Sequence, residues 1–183
     1  MRLPILISIL FFSSSILCQN HKSIGLNFGI PVVREHLPEG RQYLPFALLG
    51  YYPISDFFKN KNDHLIWYVE PQLVFVTFSP KAGSEFEFGV NLGIQYQFQL
   101  FQNTCLTAAV GSGPHFITVE TSQQAKGFIF SDNFEAGLKR RLEKQKLNLN
   151  FRLRFRHISN AGLDKPNRGI DTWFLVTGVE KIF

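Results

Sequence analysis

From Glu85 to Leu100 every residue obeys a period of two. Phe86, Phe88, Val90, Leu92, Ile94, Tyr96, Phe98 and Leu100 alternate with Glu85, Glu87, Gly89, Asn91, Gly93, Gln95, Gln97 and Gln99. Successive side chains on a strand point to opposite faces, so one face here is apolar throughout and the other is polar or glycine. The run outlasts the usual strand of about 5–6 residues. It has the ~9–11 residues that a tilted strand needs to cross a bilayer. A soluble antiparallel sandwich gives a similar alternation, so the other segments must decide between the two.

They repeat the pattern along the chain. Ile24, Leu26, Phe28 and Ile30 alternate with Gly25, Asn27 and Gly29 in a first strand. Tyr43–Tyr52 is a second, and Leu65–Phe78 a third, with Tyr68, Glu70 and Gln72 on its polar face. Glu85–Leu100 is the fourth and Thr104–Val119 the fifth. Phe128–Leu138 is a sixth in which Asp132 shares the parity of Phe130 and Phe134; a later start or a phase-resetting bulge is expected there. In a seventh strand Leu149, Phe151, Leu153 and Phe155 alternate with Asn150, Arg152, Arg154 and Arg156, and Trp173–Phe183 is the eighth. The connectors read Arg34–Gln42, Pro53–His64, Ser79–Ser84, Phe101–Asn103, Glu120–Gly127, Leu142–Lys146 and Asn160–Ile170.

The expected fold is all-β: an eight-stranded antiparallel transmembrane β-barrel, whose small interior side chains fill. Composition agrees, with 20 phenylalanines spread through a chain that is 45% hydrophobic. Apart from the N-terminus, no run approaches the ~20 apolar residues of a transmembrane helix. On the Glu85–Leu100 strand the even residues should face lipid and the odd ones a hydrated, glycine-spaced lumen. An arginine at Asn91 should then be milder than one at Leu92, given room inside.

The N-terminus reads as a secretory signal peptide, residues 1–18: Arg2 supplies a charge, Leu3–Leu17 an apolar stretch, and Gln19-Asn20-His21-Lys22 an abrupt polar change. A lipidated Cys18 is the alternative, although bulky Leu17 stands where a small residue is expected. Residues 19–183, about 165 in all, form one domain by length. If Cys18 leaves with the signal, Cys105 is expected to stand alone and to supply no disulfide framework. The terminal Phe183 is of the kind that ends outer-membrane barrels.

The formal net charge of +5 comes largely from Lys139-Arg140-Arg141 and Arg152, Arg154 and Arg156. Nucleic acid is not an expected partner, because an exported chain carries here no recognition motif. The three alternating arginines read as an interior ladder paired with carboxylates such as Glu70, Glu85, Glu87 or Glu135, since buried charges need partners. His64 and His115 lie far apart in sequence and show no metal-ligand spacing. No metal or cofactor is expected.

Chemistry concentrates in residues 155–172, Phe-Arg-His-Ile-Ser-Asn-Ala-Gly-Leu-Asp-Lys-Pro-Asn-Arg-Gly-Ile-Asp-Thr. A serine hydroxyl becomes a good nucleophile when a base takes its proton and a third group holds that base's tautomer. His157 and Ser159 stand two apart on a strand and share one face, that of Leu149, Phe151, Leu153 and Phe155. A histidine and a serine closing a lipid-facing row are misplaced in a passive barrel and well placed for a lipid substrate.

This segment resembles the signature of the lipid A 3-O-deacylase family, outer-membrane acyl hydrolases built on an eight-stranded barrel. The resemblance implies His157 as base, Ser159 as nucleophile and Asp171 as acid, with Asp171 replacing the glutamate more usual in the family. It implies an oxyanion-hole region at Asn160 and Asn167. It also implies hydrolysis of an ester-linked acyl chain of lipopolysaccharide, the 3-O chain in particular, within the outer leaflet of a Gram-negative outer membrane. The expected partners are therefore lipid A and outer-membrane lipids. The sequence leaves open a lipid A acyltransferase, a structural or adhesive barrel working through short outer loops, and the oligomeric state, a homodimer included.

Overall fold

The computed structural model describes residues 22–33, 35–59, 63–80 and 83–183. The expected signal peptide and Cys18 lie outside the described residues. Eight long strands run in order: β1 Ser23–Pro31, β2 Gln42–Lys59, β3 Asp63–Ser79, β4 Ser84–Phe101, β5 Thr104–Ile117, β6 Gly127–Leu142, β7 Leu147–Ser159 and β8 Ile170–Ile182. Each pairs antiparallel with its sequence neighbours, and β1 closes the barrel by pairing with both β8 and β2. A two-residue strand, Glu35–His36, adds only a fringe to β2.

The strand expected at Tyr43–Tyr52 continues to Lys59, through residues expected to form a connector. Proline lacks the N–H that a ladder requires and sits in strands at edges or bulges. The ladder with β3 absorbs Pro53 and its neighbours through register shifts between Pro53 and Ser55 and again between Asp56 and Phe58.

Alternation becomes inside and outside. Phe86, Phe88, Val90, Leu92, Tyr96, Phe98 and Leu100 are exposed on the barrel wall, while Glu87, Asn91, Gln95 and Gln97 are buried in its interior. The same holds for Ile24, Leu26 and Phe28 on β1 and for Leu149, Phe151 and Leu153 on β7. An apolar surface that encircles a closed barrel is far larger than a soluble monomer exposes, and it requires lipid.

The interior is filled by side chains, as expected for a barrel of eight strands. Arg152 pairs with Glu135 at 2.7 Å, and Arg154 bridges Glu135 and Glu70. Arg156 pairs with Glu87, which also accepts a hydrogen bond from the Tyr43 hydroxyl. Lys139 meets Glu180 at 2.9 Å. The arginine ladder is thus an ion-pair lattice as expected, except that Glu85 stands outside it and accepts a hydrogen bond from the Thr118 hydroxyl. Glycines make room for larger neighbours: a Cβ at Gly93 would collide with the ring of Tyr68. Toward one end the interior turns apolar, with Ile117, Ile129, Ile158 and Ile170 buried together. That end carries the site.

Candidate active site on the lipid-facing wall

The ladders set side chains of neighbouring strands opposite one another. Ser112 on β5 pairs with Asp132 on β6, Asp132 pairs with His157 on β7, and His157 pairs with Asp171 on β8. Four polar residues therefore form one row across four strands, on the outward face. A single apolar row of Val110, Phe134, Phe155 and Trp173 lies immediately beside it. In this row Nδ1 of His157 lies 2.6 Å from Oδ1 of Asp171. The pair is accessible, with side chains 35% and 55% exposed. A carboxylate on Nδ1 fixes the ring's tautomer and leaves Nε2 to exchange a proton.

Ser159 ends β7 two residues beyond His157 on the same face, opposite Phe130. Its hydroxyl makes no hydrogen bond among the described residues. The His157 ring leans toward this side. A Cβ built at Gly169 would collide with Cε1 of the ring and lie 2.9 Å from Nε2. Gly169 has φ of +79°, a conformation that glycine adopts without strain. Its missing side chain is the space the imidazole occupies. Sequence reasoning missed Gly169, because nothing in a lone glycine between Arg168 and Ile170 signals a ring packed on it.

Residues 160–169 connect β7 to β8 and are clasped internally. The backbone N–H of Asn160 donates to Oδ1 of Asn167 at 2.8 Å. The Asn160 amide donates to the Asp164 carbonyl at 2.9 Å, and its own Oδ1 accepts from the Gly162 N–H at 3.0 Å. Asn160 is buried and shapes the loop. Asn167 is partly exposed, and its side-chain nitrogen and backbone N–H donate to no partner among the described residues. The neighbouring connection, residues 118–126, braces this loop: Ala125 N–H donates to Pro166 and Arg168 N–H to Gln123, at 2.8 and 2.7 Å.

Asp132 departs from expectation most. Neither a late start nor a bulge excuses it: β6 runs in continuous register with β5 from Gly127 to Arg140 and with β7 from Phe130 to Leu142. It faces outward like Phe134, and its Oδ1 accepts a hydrogen bond from the Ser112 hydroxyl at 2.5 Å. An open groove of about 570 Å³ lies beside it on the wall, with Ser112, Asp132 and His157 as its polar edge and Leu92, Val110 and Phe134 among its apolar lining. A second groove of about 600 Å³ shares Ile94, Val110 and Phe134 with the first and passes over the small residues Ala108 and Ala136.

Residues 98–180 match the family model of lipid A 3-O-deacylase (PagL). The resemblance is to the lipid A 3-O-deacylases. The matched segment holds Ser112, Asp132, His157, Ser159, Asn160, Asn167, Gly169 and Asp171. Among solved structures, the crystal structure of the outer membrane enzyme PagL aligns with a TM-score of 0.61 at 16% identity, covering 88% of this chain and 99% of that one. That likeness establishes the PagL barrel as this chain's fold. A structure from the de novo design of transmembrane β-barrels aligns at a TM-score of 0.43 and 11% identity, covering 90% of this chain and 98% of that one. The Yersinia pestis outer membrane protein Ail aligns at 0.43 and 18%, covering 88% and 99%. No curated protein sequence matches.

Proposed function

We propose that this chain is a lipid A deacylase of the Gram-negative outer membrane, hydrolysing an ester-linked acyl chain, the 3-O chain first among candidates. The observation that carries the reading is the hydrogen-bonded His157–Asp171 pair on the lipid-facing wall, with Ser159 beside it and an apolar groove leading away. A histidine–carboxylate pair facing lipid serves a passive barrel poorly, because polar groups there cost assembly energy. It serves an enzyme whose substrate is a lipid.

Orientation supports the same reading. Connections of residues 102–103 and 143–146 lie at one end of the barrel, and the longer 118–126 and 160–169 at the other. Short turns are periplasmic and long loops external in outer-membrane barrels. The site then lies toward the outer leaflet, where lipid A resides.

In the proposed mechanism Ser159 Oγ attacks the acyl carbonyl carbon while Nε2 of His157 takes its proton. Asp171 holds Nδ1 and stabilises the imidazolium. The Asn167 amide donates to the carbonyl oxygen as it becomes an oxyanion. The tetrahedral intermediate collapses, the C–O bond to the sugar breaks, and His157 returns the proton to the departing alkoxide. Water, deprotonated by His157, then cleaves the acyl-serine and releases a fatty acid.

The test is mass spectrometry of lipid A incubated with purified, refolded protein in detergent. Wild type should remove one acyl chain, and Ser159→Ala and His157→Ala should each abolish this. Triad members act as a unit, so the double variant should be little worse than either single one. Transfer of a chain to an acceptor would make the protein an acyltransferase. No change of lipid A by wild type would favour a structural barrel, and full activity of Ser159→Ala would overturn the mechanism.

A further inference from the structure

We infer that Thr121 is a positioning residue of the hydrolytic site: it folds the connection of residues 118–126 into a turn that holds Asn167 where its amide meets the developing oxyanion. The inference rests on the deacylase reading above and adds to it a residue that acts through the backbone of a second loop.

Residues 119–123 belong to no strand, so the shape of this stretch needs hydrogen bonds from elsewhere. Thr121 supplies them. Its Oγ1 accepts from the N–H of Gln123 at 3.2 Å and from that of Gln124 at 3.0 Å. Its own N–H donates to the Gln124 carbonyl at 3.0 Å. A threonine hydroxyl closes such local turns well. Thr121 is only 6% exposed and Gln124 is fully buried, so losing the hydroxyl strands a buried N–H that water reaches poorly. The turn's other ties are exposed and weaker supports: Ser122 donates to the Glu39 carboxylate, and Arg41 donates to the Glu120 carbonyl at 3.3 Å.

What the turn delivers brackets one residue of the neighbouring loop. The Gln123 carbonyl accepts from Arg168 N–H, Ala125 N–H donates to the Pro166 carbonyl, and between them Gln124 pairs antiparallel with Asn167. Asn167 is therefore gripped through both of its chain neighbours. Its side chain is held as well, because Oδ1 accepts the Asn160 N–H at 2.8 Å. With the backbone and Oδ1 both fixed, the direction of Nδ2 follows. An oxyanion donor must lie about 2.7–3.1 Å from where the charge develops. A misplacement of about 1 Å costs on the order of 10²-fold in rate. The apolar grooves on the wall share no residue with this turn, so a disturbed turn should slow the chemistry and leave the acyl chain's seat alone.

Refolded Thr121→Ala, Thr121→Val and Thr121→Ser proteins, assayed for kcat and KM on lipid A in detergent, test this. Alanine and valine should lower kcat by about 10–100-fold with KM unchanged, and serine, which keeps Oγ, should restore most of the loss. Heat-modified gel migration should match wild type, because Thr121 belongs to no strand. A double-variant cycle gives the route. Asn167→Ala removes the donor itself, so Thr121→Ala should add little to it, whereas independent sites add. Should Thr121→Ala fail to assemble, Thr121→Val takes its place in the cycle, and failure of both would make Thr121 a folding residue and overturn the inference. So would wild-type kcat in Thr121→Ala, a loss carried by KM, no rescue by serine, additive losses in the double variant, or a fully active Asn167→Ala. Each of these leaves the deacylase reading standing. A wild type that releases no fatty acid would overturn both.

Discussion

His157 and Asp171 stand directly opposite each other across β7 and β8, their side chains joined at 2.6 Å on the outer wall of the barrel. A cross-strand pair places the two Cβ atoms at a fixed roughly 4.5–5.5 Å. That spacing lets an aspartate reach Nδ1 without a longer side chain. The missing methylene relative to glutamate is supplied by register.

Asp171→Asn should therefore lower turnover by about 10²–10⁴-fold, because an amide cannot stabilise the imidazolium formed in catalysis. Asp171→Glu should keep a substantial share of activity. Release of fatty acid from lipid A by the refolded variants measures both, and full activity in Asp171→Asn would remove Asp171 from the mechanism.

Gly169→Ala should disable the site while leaving the barrel assembled. Its Cβ would enter the space of the imidazole, and alanine at φ of +79° adds about 1–2 kcal/mol of backbone strain. Expected results are a loss of kcat with wild-type gel migration. Activity equal to wild type would mean that the ring has another resting place.

Glu87→Gln should destabilise the barrel strongly. Glu87 is fully buried, pairs with Arg156 and accepts from Tyr43. Removing one partner of a buried ion pair costs about 3–5 kcal/mol. A urea titration of protein folded into lipid vesicles should show the midpoint moving down, and an unmoved midpoint would mean that Arg156 finds a second carboxylate.

Leu92→Arg places a charge on the lipid face and should cost roughly 2–4 kcal/mol near the bilayer midplane. Asn91→Arg, expected from sequence to be the milder change, should also impair assembly. Asn91 is fully buried and meets His115 at 3.0 Å, so a larger cation has neither room nor a free carboxylate. Folding yield into vesicles compares the two, and good folding of Asn91→Arg would show a roomier interior than the packing allows.

Period-two alternation determined the fold class, because a strand with one apolar and one polar face can be covered in few ways, and 20 phenylalanines leave lipid as the cover. It also determined which side of each strand faces out, since parity is local. The spacing of His157 and Ser159 put both on the outward face for the same reason. Register was not legible. Which residue of β6 or β8 stands beside His157 depends on where each turn ends, and no single strand encodes that. Only the closed ladders set Asp132, His157 and Asp171 in one row, which turned Asp132 from a flaw in a pattern into part of a site. What packs against each glycine was likewise hidden. A glycine in the sequence reads the same whether water, Tyr68 or the ring of His157 lies over it, and only the tertiary structure brings those groups to Gly93 and Gly169.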